Sequence, residues 1–458
     1  MFGKTRHIHL VGIGGASMSG IAEVLINLGF KVSGSDANQT EITDKLSKLG
    51  AKVFIGHAGS NVENVDVLVF SAAINPSNPE IVTAHHRKIP VIPRVEMLAE
   101  LMRMKYNISV AGTHGKTTTT GMVSYVLEYG GLDPTLMDGG IIRSLDTNIR
   151  LGSSEFMVVE ADEAYGSIKK VSPTIAIVTN IDNDHLDYYG TMDEVKKAFL
   201  EFINRVPFYG TAILCLDQEN IQELIPKIEK RFITYGIETK ADFTASDIHA
   251  DGDGISYKAN HHGKAIGNIQ IKSPGIHNVA NSLSAVAVGL ELDISFKNIA
   301  KALKEFPGIH HRFEILGNVN NILVVDDYGH HPTEIKATLK AARDTYSKRR
   351  VIAIFQPHRY SRVQLLAQEF ARCFYQADVL IMTDIYSAME DPIEGVTGEM
   401  VANITRDYGH KDMIYIPDKN NIPDHVIKIA QPGDIIITLG AGDIWKIGKE
   451  IVKRLSGK

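Results

Sequence analysis

Ile108-Ser109-Val110-Ala111, then Gly112-Thr113-His114-Gly115-Lys116-Thr117, then a helical pattern from Thr118, is the stretch on which the reading of this chain turns. An apolar strand runs into a glycine-rich loop and out into a helix, the order in which a phosphate loop is built. Glycines let the backbone close around phosphate oxygens, while loop N–H groups and the helix N-terminus supply donors and partial positive charge. In such a loop Lys116 bridges the β- and γ-phosphates of ATP and Thr117 offers its hydroxyl to Mg²⁺. The strict eight-residue pattern would want glycine at Val110, so only the Gly-x-x-Gly-Lys-Thr core is met. Ordinary turns also carry that core; the strand before it and the helix after it favour the nucleotide reading.

Around this loop the chain is an ordinary globular one. Its 458 residues exceed a single core, and the size predicts about three domains. Apolar residues make up 44% and charged residues 22%, the balance of a water-soluble fold. A formal charge of −6 without a long run of one sign argues against a nucleic-acid-binding surface, whose footprint is basic. Cys215 and Cys373 lie far apart and outside any Cys-x-x-Cys spacing, so both are expected reduced and buried, in a cytoplasmic protein. The apolar stretch 8–13 is too short for a secretion signal or a membrane span, and no other window reaches the roughly 20 apolar residues a span needs.

Before the loop, strands at 7–12, 31–35, 53–55, 67–70 and 91–92 alternate with helices at 19–28 and 43–49. This is the pattern of a doubly wound parallel sheet, a Rossmann-like N-terminal domain. Gly12, Gly14 and Gly15 occupy the first strand-to-helix turn, where such folds hold phosphates, and Asp36 follows the second strand, where a ribose hydroxyl is usually met. Ser17 stands where a dinucleotide fingerprint wants its third glycine, so the turn points to a pyrophosphate-bearing nucleotide without indicating a nicotinamide cofactor. A boundary is expected near residue 105. The central P-loop ATPase domain should run over 106–309, with strands at 156–159, 174–178 and 212–216, a β-rich polar stretch at 241–271 and a closing helix at 278–290. Strands at 322–325, 351–355, 379–382 and 435–439, with helices between, make 310–458 a second Rossmann-like domain.

The polar clusters sit at strand ends. Glu160 closes the strand 157–159 in Glu160-Ala161-Asp162-Glu163, a carboxylate beside a phosphate loop and so a candidate for Mg²⁺. His185, in Asp184-His185-Leu186-Asp187, follows another buried strand among carboxylates that would orient its ring. Asp326-Asp327-Tyr328-Gly329-His330-His331-Pro332-Thr333-Glu334 and Gln356-Pro357-His358-Arg359-Tyr360-Ser361-Arg362 follow two strands of the third domain and should project from one sheet edge. Two arginines there suit a carboxylate or phosphate gripped in bidentate fashion. Neither His330-His331 nor His310-His311-Arg312 reads best as a metal site, since adjacent loop residues rarely point at one ion; the second run suits phosphate and interdomain contact.

Taken together these motifs resemble the Mur ligases, the ATP-dependent amide-forming enzymes of peptidoglycan precursor synthesis, and within them the alanine-adding branch. The resemblance spans essentially the whole chain. It rests on Gly12-Ile13-Gly14-Gly15 with Met18-Ser19-Gly20-Ile21-Ala22, on 112–120, on Glu160-Ala161-Asp162-Glu163 and Asp184-His185-Leu186-Asp187, on Gly275-Ile276-His277-Asn278 with Asn281, on Arg312-Phe313-Glu314 and on the two C-terminal clusters. It implies that the first domain holds UDP-N-acetylmuramate, through Gly12, Gly14, Gly15, Met18, Ser19, Asp36 and Ser71. It implies ATP binding by Gly112, Thr113, His114, Gly115, Lys116, Thr117, Thr118, His277, Asn278, Asn281 and Arg312, with Asp326 or Asp327 on the ribose side. Tyr328, His330, Arg359 and Arg362 would surround L-alanine. Lys116, Glu160, His185 and Arg312 would serve the chemistry, with Mg²⁺ at Thr117, Glu160 and His185. No nucleic acid or membrane enters, and the chain would be a monomer or homodimer.

The sequence departs from the branch in places. Ser-Asp is usual where Ala164-Tyr165 stand, arginine where His311 stands and glycine at Met389; the lysine that other branches carbamylate for a second Mg²⁺ is missing, with Phe199 near its position. The relative that attaches a recycled tripeptide to the same sugar nucleotide would carry Phe-Ala at Tyr328-Gly329.

Overall fold

The computed structural model describes residues 5–71, 73–144, 147–184, 186–252 and 254–457. The chain divides into two compact units, Met1–Phe243 with Ser284–Ala302, and Thr244–Leu283 with Leu303–Lys458.

The first unit carries two sheets. One has the order Lys52–Ile55, Lys31–Asp36, His7–Val11, Val67–Phe70, Val91–Pro93, with all neighbours parallel. The chain reverses direction across the sheet at His7–Val11, and the turn that follows it carries Gly12 to Gly15, which caps helix Ala16–Asn27. The other sheet runs Phe232–Gly236, Thr211–Cys215, Ile175–Val178, Tyr106–Ala111, Phe156–Glu160, Thr135–Ile142, Thr147–Arg150, parallel except for its last pair. Tyr106–Ala111 is central, with Asn107 to Ala111 buried; its two polar side chains satisfy each other, Ser109 Oγ donating to Asn107 Oδ1 at 3.1 Å. The strands at 135–142, 147–150 and 232–236 carry no strong alternation and escaped the sequence reading.

The second unit contains the β-rich stretch, resolved as Phe243–Asp251, Gly254–His261 and Lys264–Ile271, the last two antiparallel. The helix expected at 278–290 runs Ile276–Glu291, and the division between the units falls within it. The C-terminal sheet has the order Glu314–Val319, Ile322–Asp327, Asp434–Leu439, Arg350–Phe355, Val379–Met382, Met413–Tyr415. Only its first pair is antiparallel. Apolar clusters cover both faces, one around Val325, Phe355 and Phe374, the other around Val324, Ile354 and Ile436. Cys215 and Cys373 are free and buried, as expected from their spacing.

Candidate active site

In the first unit, the loop Gly112–Gly115 meets the stringent backbone demands of a phosphate loop. Gly112 has φ +136°, and a Cβ there would stand 2.1 Å from Thr179 Oγ1 and 3.0 Å from the Asn180 backbone. Gly115, at φ +79°, caps helix Lys116–Tyr129, a left-handed conformation that costs other residues roughly 1–2 kcal/mol. Asn180, at the end of the neighbouring strand, braces the loop: its Oδ1 accepts from His114 N at 2.8 Å and its Nδ2 donates to His114 O at 2.8 Å. Thr113 Oγ1 accepts from Asp182 N at 2.9 Å, and His114 Nε2 lies 3.1 Å from Asp182 Oδ2. Thr113 and His114 thus shape the loop from within, and Thr118 is buried in the first turn of the helix.

Lys116 donates to Gly112 O at 2.7 Å and meets both oxygens of buried Glu163 at 2.9 and 3.0 Å. Burial opposes its charge, but Glu163, Glu160 and Asp162 outweigh that and hold the ammonium above its ordinary range. Thr117 Oγ1 donates to Glu160 Oε2 at 2.9 Å, and Gly139 N donates to the same oxygen at 3.0 Å. Beside them Asp138 is fully buried; burial first, then Glu160, push its carboxyl well above the usual range. Glu163 as the partner of Lys116, and Asp138 beside Glu160, are features the sequence reading missed; Asp138-Gly139-Gly140, a carboxylate and two glycines within the strand Thr135–Ile142, was the available signal. His185 lies outside the described residues. Phe199 is fully buried in helix Met192–Asn204 and offers no ligand.

The glycine turn of the first sheet is held differently. Gly12 N and Ile13 N donate to Ser35 O at 2.8 and 3.0 Å, and Gly14 N donates to Asp36 Oδ2 at 2.9 Å. Ser71 N reaches Val11 O at 3.2 Å, which places Ser71 beside Gly12. Ser19 is buried, and Met18, with 1% exposure, is a core side chain.

In the second unit, the two polar runs end strands of the same sheet and project from the same edge. Asp327 organises its loop, accepting from Phe313 N, Gly329 N and Thr338 Oγ1 at 2.8, 2.8 and 3.0 Å; burial pushes its carboxyl up to about 6. Asp326 is taken by His311 Nδ1 at 2.6 Å and Thr438 Oγ1 at 2.5 Å. Glu314 lies 2.8 Å from His310 Nδ1 and accepts from His311 N, so this hinge run is satisfied by its own carboxylates. Arg312 lies over the Tyr328 ring at 5.0 Å, with Nη1 3.7 Å from Glu334. His331 caps helix Pro332–Thr345 together with Glu334.

An aromatic row runs along this edge: Tyr328 meets His330 edge-on at 5.3 Å, His330 meets His358 at 6.0 Å, and His358 stacks on Tyr386 at 5.5 Å. Burial, reinforced at His358 by Arg362 and Arg359, lowers both His330 and His358 to about 4, so the row is neutral near pH 7. Arg362 Nη1 lies 3.5 Å from His358 Nδ1; Arg359, at φ +68°, lies 3.9 Å from Glu390. His277 is exposed in the first turn of helix Ile276–Glu291, while Asn278 Nδ2 donates to Pro274 O at 2.7 Å and Asn281 Nδ2 to Asn278 Oδ1 at 3.2 Å. Sequence reading named the arginines and missed the His358–Tyr386 stack, which joins residues 28 apart in sequence.

The Mur ligase middle domain matches residues 110–289, the catalytic domain of the Mur ligase family residues 7–106, and the glutamate ligase domain of Mur ligases residues 311–442. The UDP-N-acetylmuramate–L-alanine ligase of Geotalea uraniireducens (strain Rf4) is 57% identical over 457 residues, covering all of both chains. Among solved structures, the UDP-N-acetylmuramate-alanine ligase MurC of Thermotoga maritima aligns with a TM-score of 0.80 at 29% identity, over 98% of this chain and 99% of that one. The murein peptide ligase of Psychrobacter arcticus aligns at 0.69 and 26% identity, over 99% of both.

Proposed function

The chain belongs to the Mur ligase family, three-domain α/β ligases, and from that premise we propose that it joins L-alanine to UDP-N-acetylmuramate at the expense of ATP in peptidoglycan precursor synthesis. The observation that carries the reading is the alanine ligase 57% identical from end to end. We assign 1–105 to the sugar nucleotide, 106–309 to ATP, and 310–458 to the amino acid and part of the adenine nucleotide. Among the described residues no helix is long and apolar enough to cross a membrane.

A carboxylate is a poor electrophile, so the lactyl carboxylate first takes the γ-phosphoryl group, and the resulting acyl phosphate is attacked by the alanine amine with release of phosphate. Lys116, fixed at the helix N-terminus and kept charged, neutralises charge on the transferring group. Thr117 and Glu160 present converging oxygens of the kind a hard divalent cation prefers, and would hold Mg²⁺. When bound, that ion supplies electrostatic neutralisation of the phosphates. The third domain offers Arg359 and Arg362 to the amino-acid carboxylate, and the neutral wall of Tyr328, His330 and His358 suits a small apolar side chain.

The testing experiment is phosphate release with ATP, Mg²⁺ and UDP-N-acetylmuramate, adding in turn L-alanine, glycine, L-serine or the tripeptide L-alanyl-γ-D-glutamyl-diaminopimelate. Fastest release with L-alanine is expected. Preference for the tripeptide would move the chain to the peptide-adding relatives, and no release with any acceptor would overturn the assignment.

A further inference from the structure

The segment after strand Val379–Met382 returns to the C-terminal edge and meets the start of helix Tyr360–Ala371. Tyr386 N donates to Pro357 O at 2.9 Å, and Arg359 N donates to Tyr386 O at 2.9 Å. Four residues on, the Glu390 carboxylate reaches the helix itself: Oε2 accepts from Ser361 N at 3.1 Å and Oε1 from Ser361 Oγ at 2.7 Å. The N–H groups of a first helical turn have no partner within their helix, and Arg359, at the N-cap, makes no capping bond with its side chain. Glu390 therefore caps this helix from 29 residues away, with its charge at the positive end of the helix dipole. Burial would push its carboxyl up; Ser361 and then Arg359 outweigh that and hold it below its ordinary value.

The backbone on both sides of this contact is strained. Arg359 sits at φ +68°, a conformation that a residue with a Cβ keeps only where its neighbours over-determine it. Ala388 and Met389 lie at φ +50° and +68°, and Glu390 N donates to Ser387 O at 3.0 Å. That is a tight turn with both central residues left-handed, which glycine or asparagine ordinarily supplies. Glu390 leaves the turn directly, so the turn sets where its carboxylate lies, while the Met389 side chain is 98% exposed. Arg359 Nε lies 3.9 Å from Glu390, and among the described residues no hydrogen bond engages its Nη groups. Those two groups remain for a carboxylate, whose paired oxygens match them.

We infer that Glu390 is a positioning residue for the amino acid: by capping helix Tyr360–Ala371 it holds Arg359 in its left-handed conformation and so aims the Arg359 and Arg362 guanidinium groups at the amino-acid carboxylate. Arg362 belongs to the first turn of the same helix, so a shift of the helix start moves both arginines together. This rests on the proposed seat of the amino acid at this edge.

The test is steady-state kinetics of the full chain with L-alanine, ATP and UDP-N-acetylmuramate varied in turn, and urea unfolding of each variant as the check on its fold. Glu390→Ala should raise the KM for L-alanine roughly tenfold, the scale of one hydrogen bond to a charged group, and leave kcat and the KM for ATP nearly unchanged. Glu390→Gln keeps one acceptor oxygen for Ser361 and should show a smaller rise; being close in shape, it carries the test if the alanine variant does not fold. Met389→Gly preserves the turn and should use L-alanine as wild type does. The role of Glu390 is overturned by an unchanged KM for L-alanine in both Glu390 variants, by an equal rise in the KM for ATP, or by a loss confined to kcat. It is also overturned if Met389→Gly is as impaired as Glu390→Ala, since the exposed side chain would then be the determinant. Arg359→Lys separates the two levels of the claim. If it raises the KM for L-alanine while the Glu390 variants do not, only the role of Glu390 falls. If none of these changes affects L-alanine, the placement of the amino acid at this edge falls as well.

Discussion

The phosphate loop of the middle domain and the polar edge of the C-terminal domain both end parallel strands, yet burial acts on them in opposite ways. Around Lys116, burial is opposed by Glu163, Glu160 and Asp162, and the group stays charged. At the C-terminal edge burial prevails, and His330 and His358 stay neutral. The difference matches the tasks proposed for them. A transferring phosphoryl group needs fixed charge, which is worth most where water is excluded. A small amino acid needs one anchored carboxylate contact and a wall that shapes what remains.

The comparison breaks most visibly at Lys116. Lys116→Ala should lower turnover by about 10³ to 10⁵, the scale of comparable charge contacts in phosphoryl transfer, while leaving UDP-N-acetylmuramate binding intact. Steady-state rates together with calorimetry measure both, and a variant keeping more than a tenth of wild-type turnover would show that the charge is dispensable.

Glu160→Gln tests whether the same pocket is a cation site. The Mg²⁺ concentration for half-maximal rate should rise on the order of tenfold to a hundredfold, as for loss of a supporting metal contact, with partial rescue by excess Mg²⁺. An unchanged Mg²⁺ dependence would shift the assignment to Glu163, whose present partner is Lys116.

In the C-terminal region the expected changes are smaller. Arg→Lys keeps charge and loses the planar fork. Arg359→Lys or Arg362→Lys should therefore raise the KM for L-alanine by roughly tenfold and leave that for ATP nearly unchanged. A rise confined to ATP would move these arginines to the phosphate site and remove the amino acid from this edge.

The gentlest test is pH. Unfolded histidines titrate near 6.5, and in the fold His330 and His358 are held to about 4. Between those values the unfolded chain binds protons the folded one refuses, so stability should rise with pH from about 4 to 6.5. Asp327, raised to about 6, acts in reverse below pH 6, because the fold holds a proton the unfolded chain has lost. Two groups oppose one, so the urea midpoint of the C-terminal transition should climb over this range. His358→Gln should flatten the climb, and a midpoint that fell with rising pH would mean these rings are protonated in the fold.

Three alternating α/β blocks, the phosphate loop and the strand-end carboxylates were legible in the residues because each is a local pattern. A strand, two glycines at set spacing and a helix start specify their own geometry, and Gly112 and Gly115 indeed take the positive φ the loop needs. Buried parallel strands such as 175–178 announce themselves as apolar runs. The strands 135–142 and 232–236 do not, since Asp138, Gly139 and Gly140 interrupt one and mixed residues fill the other.

Sequence by itself determined which residues could carry charge to a phosphate and where along the chain they stand. Only the tertiary structure decided their partners and protonation. Lys116 meets Glu163 47 positions away, His57 meets Glu80 across 23, and His358 stacks on Tyr386 from a different strand end. Such pairings follow from strand order and crossover, which bring distant side chains to one edge of a sheet. The resulting burial sets whether a group stays ionised, because the cost of desolvation depends on every neighbour at once.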